Sequence, residues 1–465
     1  MSVVLRREHA ETPGRFKTYP AYKDSSVEWL GKIPAHWDVK RLRFVTESNP
    51  VPSEVRGLPG ETEVSFVPME AVGEQGGLSI EITKQLADVK AGYTYFRDGD
   101  IVIAKITPCF ENGKGALAAG LTNGIAFGTT ELHVLRMTER ADRRFALYLT
   151  LSDPFRRLGE ADMYGAGGQK RISESFVRNF SPALPPLPEQ RAIAAFLDRE
   201  TARLDALVAK KEQLTELLQE QRTALITRAV TKGLDPTVPM KDSGVEWLGE
   251  IPEHWEVKRL RHLVARIEQG WSPECENREA DDDEWGVLKA GCVNRGTFLE
   301  SEHKALPAAL PPIASLEISE GDLLMSRASG SRELVGSVAV VPKCRPRLLL
   351  CDKVFRLHPT VKRADRFFMA YAMNSASARS QIEVVLSGGS GLANNIAQEV
   401  VKDLLFAQPW LPEQRAIVAF LDRETARIDA FVAKVHEAID RLKEFRNALI
   451  SAAVTGKIDV REAVA

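Results

Sequence analysis

The sequence predicts an α+β protein in which two domains of mixed short strands and helices are joined by two long antiparallel coiled-coil helices, with an internal pseudo-two-fold repeat. Three observations predict it. A helical stretch occurs twice: residues 187–210 read LPEQRAIAAFLDRETARLDALVAK and residues 411–434 read LPEQRAIVAFLDRETARIDAFVAK, differing only at Ala194/Val418, Leu204/Ile428 and Leu207/Phe431. Both copies run on to matching ends, RTALITRAVTKGL from Arg222 and RNALISAAVTGKI from Arg446. A Trp-rich segment is doubled as well, KDSSVEWLGKIPAHWDVKRLR from Lys23 and KDSGVEWLGEIPEHWEVKRLR from Lys241. Between these doubled pieces lie two blocks that share a plan but not a sequence.

Residues 1–22 are polar and aperiodic and are expected to be mobile. The first domain is expected over 23–186. It opens with the Trp-rich segment, where Asp24 or Ser25 suits a capped turn and Pro34 forces an extended exit. Trp29 and Trp37 are expected to pin this segment onto the end of a long helix. Short β-like runs follow, VSFVPM from Val64, LSIEIT from Leu78, DIVIAKI from Asp100 and FGTTELHVLR from Phe127, separated by Gly-rich turns. ADRRFALYLTL from Ala141 has helical apolar spacing. A Gly loop, YGAGGQKRI from Tyr164, then leads to a short helix at SESFVRN and an extended FSPALPPL. The first long helix is expected over 187–233, with Pro188 in its first turn and Glu189 at the positive end of its dipole. A linker, 234–240, leads to the second domain, 241–410. That domain has strands around GDLLMSRA, SVAVV and VFRLHP, a helical stretch over 364–380, a Gly loop from Ser387 and a short helix at IAQEVVKDL. The second long helix is expected over 411–458, leaving a tail at 459–465.

Heptad spacing assigns the helix faces. Leu197, Leu204, Leu218 and Leu225 fall on one position, with Ile193, Leu207 and Leu214 on its companion, and Glu200, Lys211 and Gln221 interrupt the seam. In the second copy the seam is Ile417, Leu421, Ile428, Phe431, Val435, Leu442, Phe445 and Leu449. Each helix thus has one narrow apolar face, and the simplest burial for both is against each other.

Composition excludes several classes. No apolar run approaches a membrane span and the N-terminal residues form no signal-peptide core, so a cytoplasmic protein without membrane contact is expected. The five cysteines, Cys109, Cys275, Cys292, Cys344 and Cys351, have no metal-ligand spacing and are expected as free, mostly buried thiols. With 62 Lys and Arg against 64 Asp and Glu, the formal charge of -2 does not favour wrapping nucleic acid by bulk electrostatics, so DNA binding would need local patches or partners.

Catalytic motifs are absent. Asn112-Gly113-Lys114-Gly115 lacks the spacing and hydroxyl of a phosphate loop, GAGGQK at Gly165 lacks a dinucleotide fingerprint, and neither HExxH nor GxSxG occurs. The acidic run Asp281-Asp282-Asp283-Glu284 reads as a solvated loop rather than a metal site. The chain is therefore read as non-catalytic, with no cofactor or metal of its own.

Three kinds of stretch suit DNA. AKITPCFENGKG from Ala104 offers Lys105, Thr107, Asn112 and Lys114 in a turn. SRASGSREL from Ser326 offers Arg327, Ser329, Ser331 and Arg332 after the same Gly-Asp strand start. The Gly loops offer Gln169, Lys170 and Arg171 in one half and Asn394 and Asn395 in the other, and Thr129 and Thr130 join them as candidates. Lys and Arg can grip phosphate or guanine and Asn can read adenine. For any one residue, an ordinary surface hairpin is an equally good reading.

Two variable blocks, each preceded by a copy of the Trp-rich segment (SGVEWLGEIPEHWEVKRL in the second half) and followed by LPEQRAI..FLD.ET.R, closely resemble the specificity subunit of type I restriction-modification systems across nearly the whole chain. The resemblance implies that each block is a target-recognition domain reading one half of a split DNA sequence. It further implies that the helices form a spacer, and that the chain recruits two modification (methyltransferase) subunits and the restriction/translocase subunits. S-adenosylmethionine, ATP and Mg2+ would then belong to those partners. The rival readings are a coiled-coil protein-interaction scaffold without direct base reading, and a nuclease built on the Asp281 run.

Overall fold

The computed structural model describes residues 16–166, 168–388 and 394–464, and it divides the chain into two units, residues 1–212 with 436–465 and residues 213–435. Each unit owns one end of each long helix. The first helix, Leu187–Lys232, has 46 residues and the second, Leu411–Val454, has 44. At 1.5 Å per residue these are about 70 Å and 65 Å long. Gly233 and Gly456, at φ +74° and +71°, turn the chain out of each helix in the left-handed conformation that glycine tolerates. The second helix therefore stops at Val454, short of the expected 458, because Gly456 ends it.

Within each unit the start of one helix packs on the end of the other, so the pairing is antiparallel. In the first unit Ile193, Ala194 and Leu197 share a core with Leu449, Ile450, Ala453 and Val454. In the second, Ile417 and Leu421 share one with Ile226, Ala229 and Val230. The doubled Trp segments clasp these junctions. Trp37 Nε1 donates to Glu189 Oε1 at 3.1 Å, and His36 Nε2 lies 2.7 Å from Glu189 Oε2. On its other side Trp37 abuts the end of the second helix, where a Cβ added to Gly456 would sit 3.2 Å from the indole. The second unit repeats this: Trp255 Nε1 donates to Glu413 Oε2 at 3.0 Å, His254 Nε2 lies 3.1 Å from the same oxygen, and a Cβ on Gly233 would sit 3.3 Å from the indole.

The seam differs from its expected course on one side. Leu197, Leu204, Leu218 and Leu225 do lie on a buried or half-buried stripe, as do Ile193 and Leu214. Ile417, Leu421, Ile428, Val435, Leu442, Phe445 and Leu449 do likewise. Leu207 and Phe431, however, are 42% and 48% exposed and lie off it. The companion positions are instead Thr201, Val208, Thr215, Arg222 and Ala229 on the first helix and Thr425, Val432, Ile439, Arg446 and Ala453 on the second. Thr201 Oγ1 and Thr425 Oγ1 each return a 2.7 Å bond to the carbonyl four residues back, so both hydroxyls can be buried. Arg446 Nε lies 2.9 Å from Asp205 Oδ1 in the first unit, and Arg222 Nε lies 2.9 Å from Asp429 Oδ1 in the second.

Each unit carries a β-rich domain. In the first, strands 83–85, 63–67, 125–128 and 94–97 form one sheet in that order, and 46–48, 132–137, 101–104 and 115–117 form another. In the second, 264–269, 354–359, 323–326 and 338–340 form one sheet, and 303–305, 286–288 and 348–349 the other. The Gly-Asp pair opening the central strand is used alike in both. Gly99 and Gly321 take φ +90° and +85°, and the following aspartates anchor a strand arginine: Asp100 takes two 2.8 Å bonds from Arg136, and Asp322 one of 3.0 Å from Arg356.

Several expectations change. LSIEIT is not a strand over most of its length; the strand begins only at its last residue and runs Thr83–Gln85. The run from Phe127 is two strands, split by a turn at Thr129–Glu131, and the 364–380 stretch is two helices, Arg366–Met373 and Ala376–Gly388. The mobile N-terminus expected over 1–22 falls outside the described residues for 1–15. Residues 16–22 are packed instead: Phe16 meets Phe196 edge-on at 5.6 Å, Tyr19 is buried, and Lys17 forms a β-bridge with Asp459, which also fastens the 459–465 tail. Among the five free thiols Cys292 and Cys351 are buried and the others half-buried.

Because Trp255 is fully buried and Trp247 is 36% exposed, Trp255→Ala is expected to destabilise the second unit by about 3–5 kcal/mol, and Trp247→Ala by no more than about 0.5 kcal/mol. Urea unfolding of the two variants checks this, and equal losses would remove the clasp from its place in the fold.

Candidate nucleic-acid interface

The predicted site residues fall around a backbone latch that occurs once in each unit. In the first, Lys105 N donates to Glu131 O at 2.9 Å, Ile172 N to Lys105 O at 2.9 Å and Thr107 N to Lys170 O at 2.9 Å, while Ile106 bridges Arg171. In the second, Arg327 N donates to Lys353 O at 2.8 Å, Ile396 N to Arg327 O at 2.9 Å and Ser329 N to Asn394 O at 3.1 Å, while Ala328 bridges Asn395. The segment leaving the central strand is thereby stitched to the segment after the Gly loop. Lys105, Thr107, Lys170 and Arg171 correspond one by one to Arg327, Ser329, Asn394 and Asn395.

The side chains around the two latches differ. Arg171 is clamped by Glu131, Nε to Oε2 at 2.9 Å and Nη2 to Oε1 at 2.8 Å. This guanidinium holds the Glu131 carboxyl below the usual glutamate range, ahead of the opposing effect of burial. Gln169 and Lys170 are exposed on the 164–171 hairpin, and Thr107 Oγ1 donates to Lys170 O at 3.1 Å. Thr129 Oγ1 accepts from Glu131 N at 3.3 Å and Thr130 is exposed, so the turn that supplies Glu131 belongs to the cluster. In the second unit Lys353 occupies the place of Glu131 and pairs with Asp352 at 3.2 Å. Arg327 Nη1 donates to Asp352 O at 3.2 Å, and its guanidinium lies over Phe355. Asn394 Nδ2 donates to Gly330 O at 3.3 Å, and Ser329 Oγ accepts from Ser331 N at 3.2 Å. Among the described residues no carboxylate lies within ion-pair distance of Lys105, Lys170 or Arg327.

Three predicted residues are committed elsewhere. Asn112 Nδ2 donates to Glu74 Oε1 at 3.1 Å and Lys114 Nζ to Met69 O at 3.1 Å, so both face the 69–74 loop rather than Lys105. Arg332 reaches the carbonyl of Glu383 at 3.3 Å and the hydroxyl of Ser387, which ties it to the helix there and away from Arg327. Residues 167 and 389–393 of the Gly loops lie outside the described residues. Glu131 and Lys353 escaped sequence reasoning because only the tertiary latch sets them beside the loops; a charged residue at the turn before a strand carries no such signal.

The acidic run is held by arginines. Arg278 binds Glu284 at 2.6 and 2.7 Å and lowers its pKa to about 2, and Arg345 binds the carbonyls of Ala280, Asp281 and Glu284. Among the described residues no cluster of three or more His, Cys, Asp or Glu is placed to hold a metal ion.

No protein-family model matches the chain. It is similar to the type I restriction enzyme EcoEI specificity subunit of Escherichia coli, 27% identical over 94% of this chain and 86% of that protein. The EcoAI specificity subunit of the same organism is 35% identical over 52% of this chain and 40% of its own length. A solved chain of a type I R-M system assembly superposes with a TM-score of 0.67 at 20% identity, covering 91% of this chain and 98% of that one. The HsdS subunit from Thermoanaerobacter tengcongensis gives a TM-score of 0.50 at 20% identity over 92% and 98%. The solved structures speak for the fold, and the curated relatives for the kinship. Over nearly its whole length the chain is similar to specificity subunits of type I restriction enzymes. A specificity subunit of this kind serves DNA sequence recognition, and catalysis lies with other subunits of the enzyme. No helix among the described residues is long and apolar enough to cross a membrane.

The Arg171–Glu131 contact has a signed pH dependence. A carboxyl lowered in the folded state contributes above its unfolded value of about 4.3, and that contribution is lost as pH falls through the lowered one. In a carboxylate-resolved NMR titration Glu131 should have its midpoint below about 4.3 and move up in Arg171→Ala. Identical midpoints in the two proteins would show that the guanidinium does not hold it.

Proposed function

We propose that this chain is a specificity subunit that reads a bipartite DNA target, one half through each unit, that the helical pair sets the gap between the halves, and that the chain recruits the modification and restriction subunits. The observation that carries this reading is the repeated latch with unlike side chains. One backbone frame presents Lys105, Thr107, Gln169, Lys170 and Arg171 in the first unit and Arg327, Ser329, Asn394 and Asn395 in the second. The same frame with different donors and acceptors suits two unlike half-sites. Lys105, Lys170 and Arg327, free of carboxylate partners among the described residues, suit phosphate. Linking both readers in one chain makes the second contact intramolecular and raises affinity without new contacts.

The formal charge of -2 fits a subunit whose partners complete the grip on DNA. Those partners are two modification (methyltransferase) subunits and the restriction/translocase subunits, acting in the cytoplasm. S-adenosylmethionine, ATP and Mg2+ would be held by them, not by this chain. Leu207 and Phe431, exposed at equivalent positions of the two helices, offer apolar contact to the modification subunits. That same exposure is what a scaffold without base reading would show, and the latch favours the DNA reader.

Both inter-helix ion pairs lie outside 209–215 and 436–442, so removing these two heptads leaves each pair in its own unit. The deletion shortens the rod by about 10 Å, about three base-pair steps of 3.4 Å. Methylome mapping of the assembled complex should then show a gap about three base pairs shorter, and an unchanged gap would separate the helices from spacing. Substituting Ala for Lys105 and Lys170 should weaken DNA binding uniformly across sequences and lower its salt dependence by about two phosphate contacts, while subunit assembly, followed by gel filtration, stays intact. Unchanged affinity would favour the scaffold.

A further inference from the structure

The two latches carry different chemistry at one equivalent position. Arg171 spends Nε–H and one Nη2–H on both oxygens of Glu131, which fixes the plane of its guanidinium. Among the described residues Nη1 makes no hydrogen bond, and the side chain remains 35% exposed. A clamped arginine therefore offers its outer edge, with parallel N–H groups in a set direction. Its charge, balanced by a carboxylate at 2.8 Å, is poorly suited to phosphate, which the neighbouring Glu131 repels. Base edges are a better match, because guanine presents O6 and N7 as a pair of acceptors spaced for one guanidinium edge.

In the second unit Asn395 holds the place of Arg171, since both residues bridge the first residue beyond the strand-end cation. Lys353 replaces Glu131 but turns to Asp352, so no carboxylate clamps this position. Asn395 is exposed and its carboxamide makes no hydrogen bond among the described residues. One donor and one acceptor on a short side chain match N7 and N6 of adenine.

Resting on the DNA reading above, we propose that Arg171, held by Glu131 as its positioning residue, reads a guanine in the half-site of the first unit, and that Asn395 reads an adenine at the corresponding step of the other half-site. The test uses the full chain assembled with its modification subunits, selecting DNA from a pool in which each half-site is randomised in turn. Arg171→Ala and Arg171→Lys should each relax one guanine position, with discrimination there falling on the order of 10- to 100-fold. The other half-site stays unchanged and serves as the internal control for folding. Glu131→Gln should leave guanine preferred at that same position with several-fold weaker discrimination, whereas Asn395→Ala should relax one adenine of the other half-site alone. A wild-type half-site without that guanine, or Arg171→Ala weakening all sequences equally with a shallower salt slope, would make Arg171 a phosphate contact and overturn the inference while leaving the loops on DNA. Glu131→Gln matching wild type would remove its positioning role. Should Arg171→Ala, Asn395→Ala, Lys105→Ala and Arg327→Ala all leave affinity and preference untouched, the reading of DNA by these loops fails with it.

Discussion

One carboxylate at the start of each long helix, Glu189 and Glu413, governs how the chain is joined. Glu189 is 8% exposed, a position where an unpaired charge would cost several kcal/mol. Trp37 and His36 satisfy one of its oxygens each, whereas Trp255 and His254 converge on a single oxygen of Glu413. Since each indole also packs against the glycine that ends the opposite helix, the contact specifies which helix end meets which helix start. The antiparallel pairing, the place of each Trp segment and the footing of each β domain follow from that.

Other polar residues of the doubled motif are structural in the same sense. Gln190 Oε1 accepts from Asp142 N at 2.8 Å, and Gln414 Oε1 from Asp365 N at 2.8 Å, so each ties the start of a domain helix to the long helix. Asp198 and Asp422 accept the hydroxyls of Tyr148 and Tyr371 at 2.9 and 2.7 Å. The doubled letters thus record a repeated set of joints between helix and domain, which is why they recur while the blocks between them diverge.

The duplication, the two long helices and the alternation of short strands with Gly turns were legible because repetition and apolar periodicity are local signals. The second side of the seam was not. Thr201, Thr425 and Arg446 are buried by hydrogen bonds and an ion pair, and a search for apolar residues passes over them toward Leu207 and Phe431. LSIEIT alternates like a strand but pairs continuously only from its last residue, Thr83, which lies opposite Ser65; before that it makes a single bridge at Leu78. In the loops, the residue types were readable and their commitments were not. Lys114, Asn112 and Arg332 look free in sequence and are taken up by distant carbonyls and side chains, whereas Glu131 looks incidental and holds Arg171.

The latch is built from main-chain atoms on both sides. Its three N–H to carbonyl bonds and one bridge form alike over Lys105 or Arg327, Thr107 or Ser329, Lys170 or Asn394. Side chains at those places can therefore be exchanged without dismantling the fold beneath them. Folding and vocabulary are thereby uncoupled: a lineage of such chains could drift from one target word to another by point substitution, each intermediate remaining a properly assembled protein.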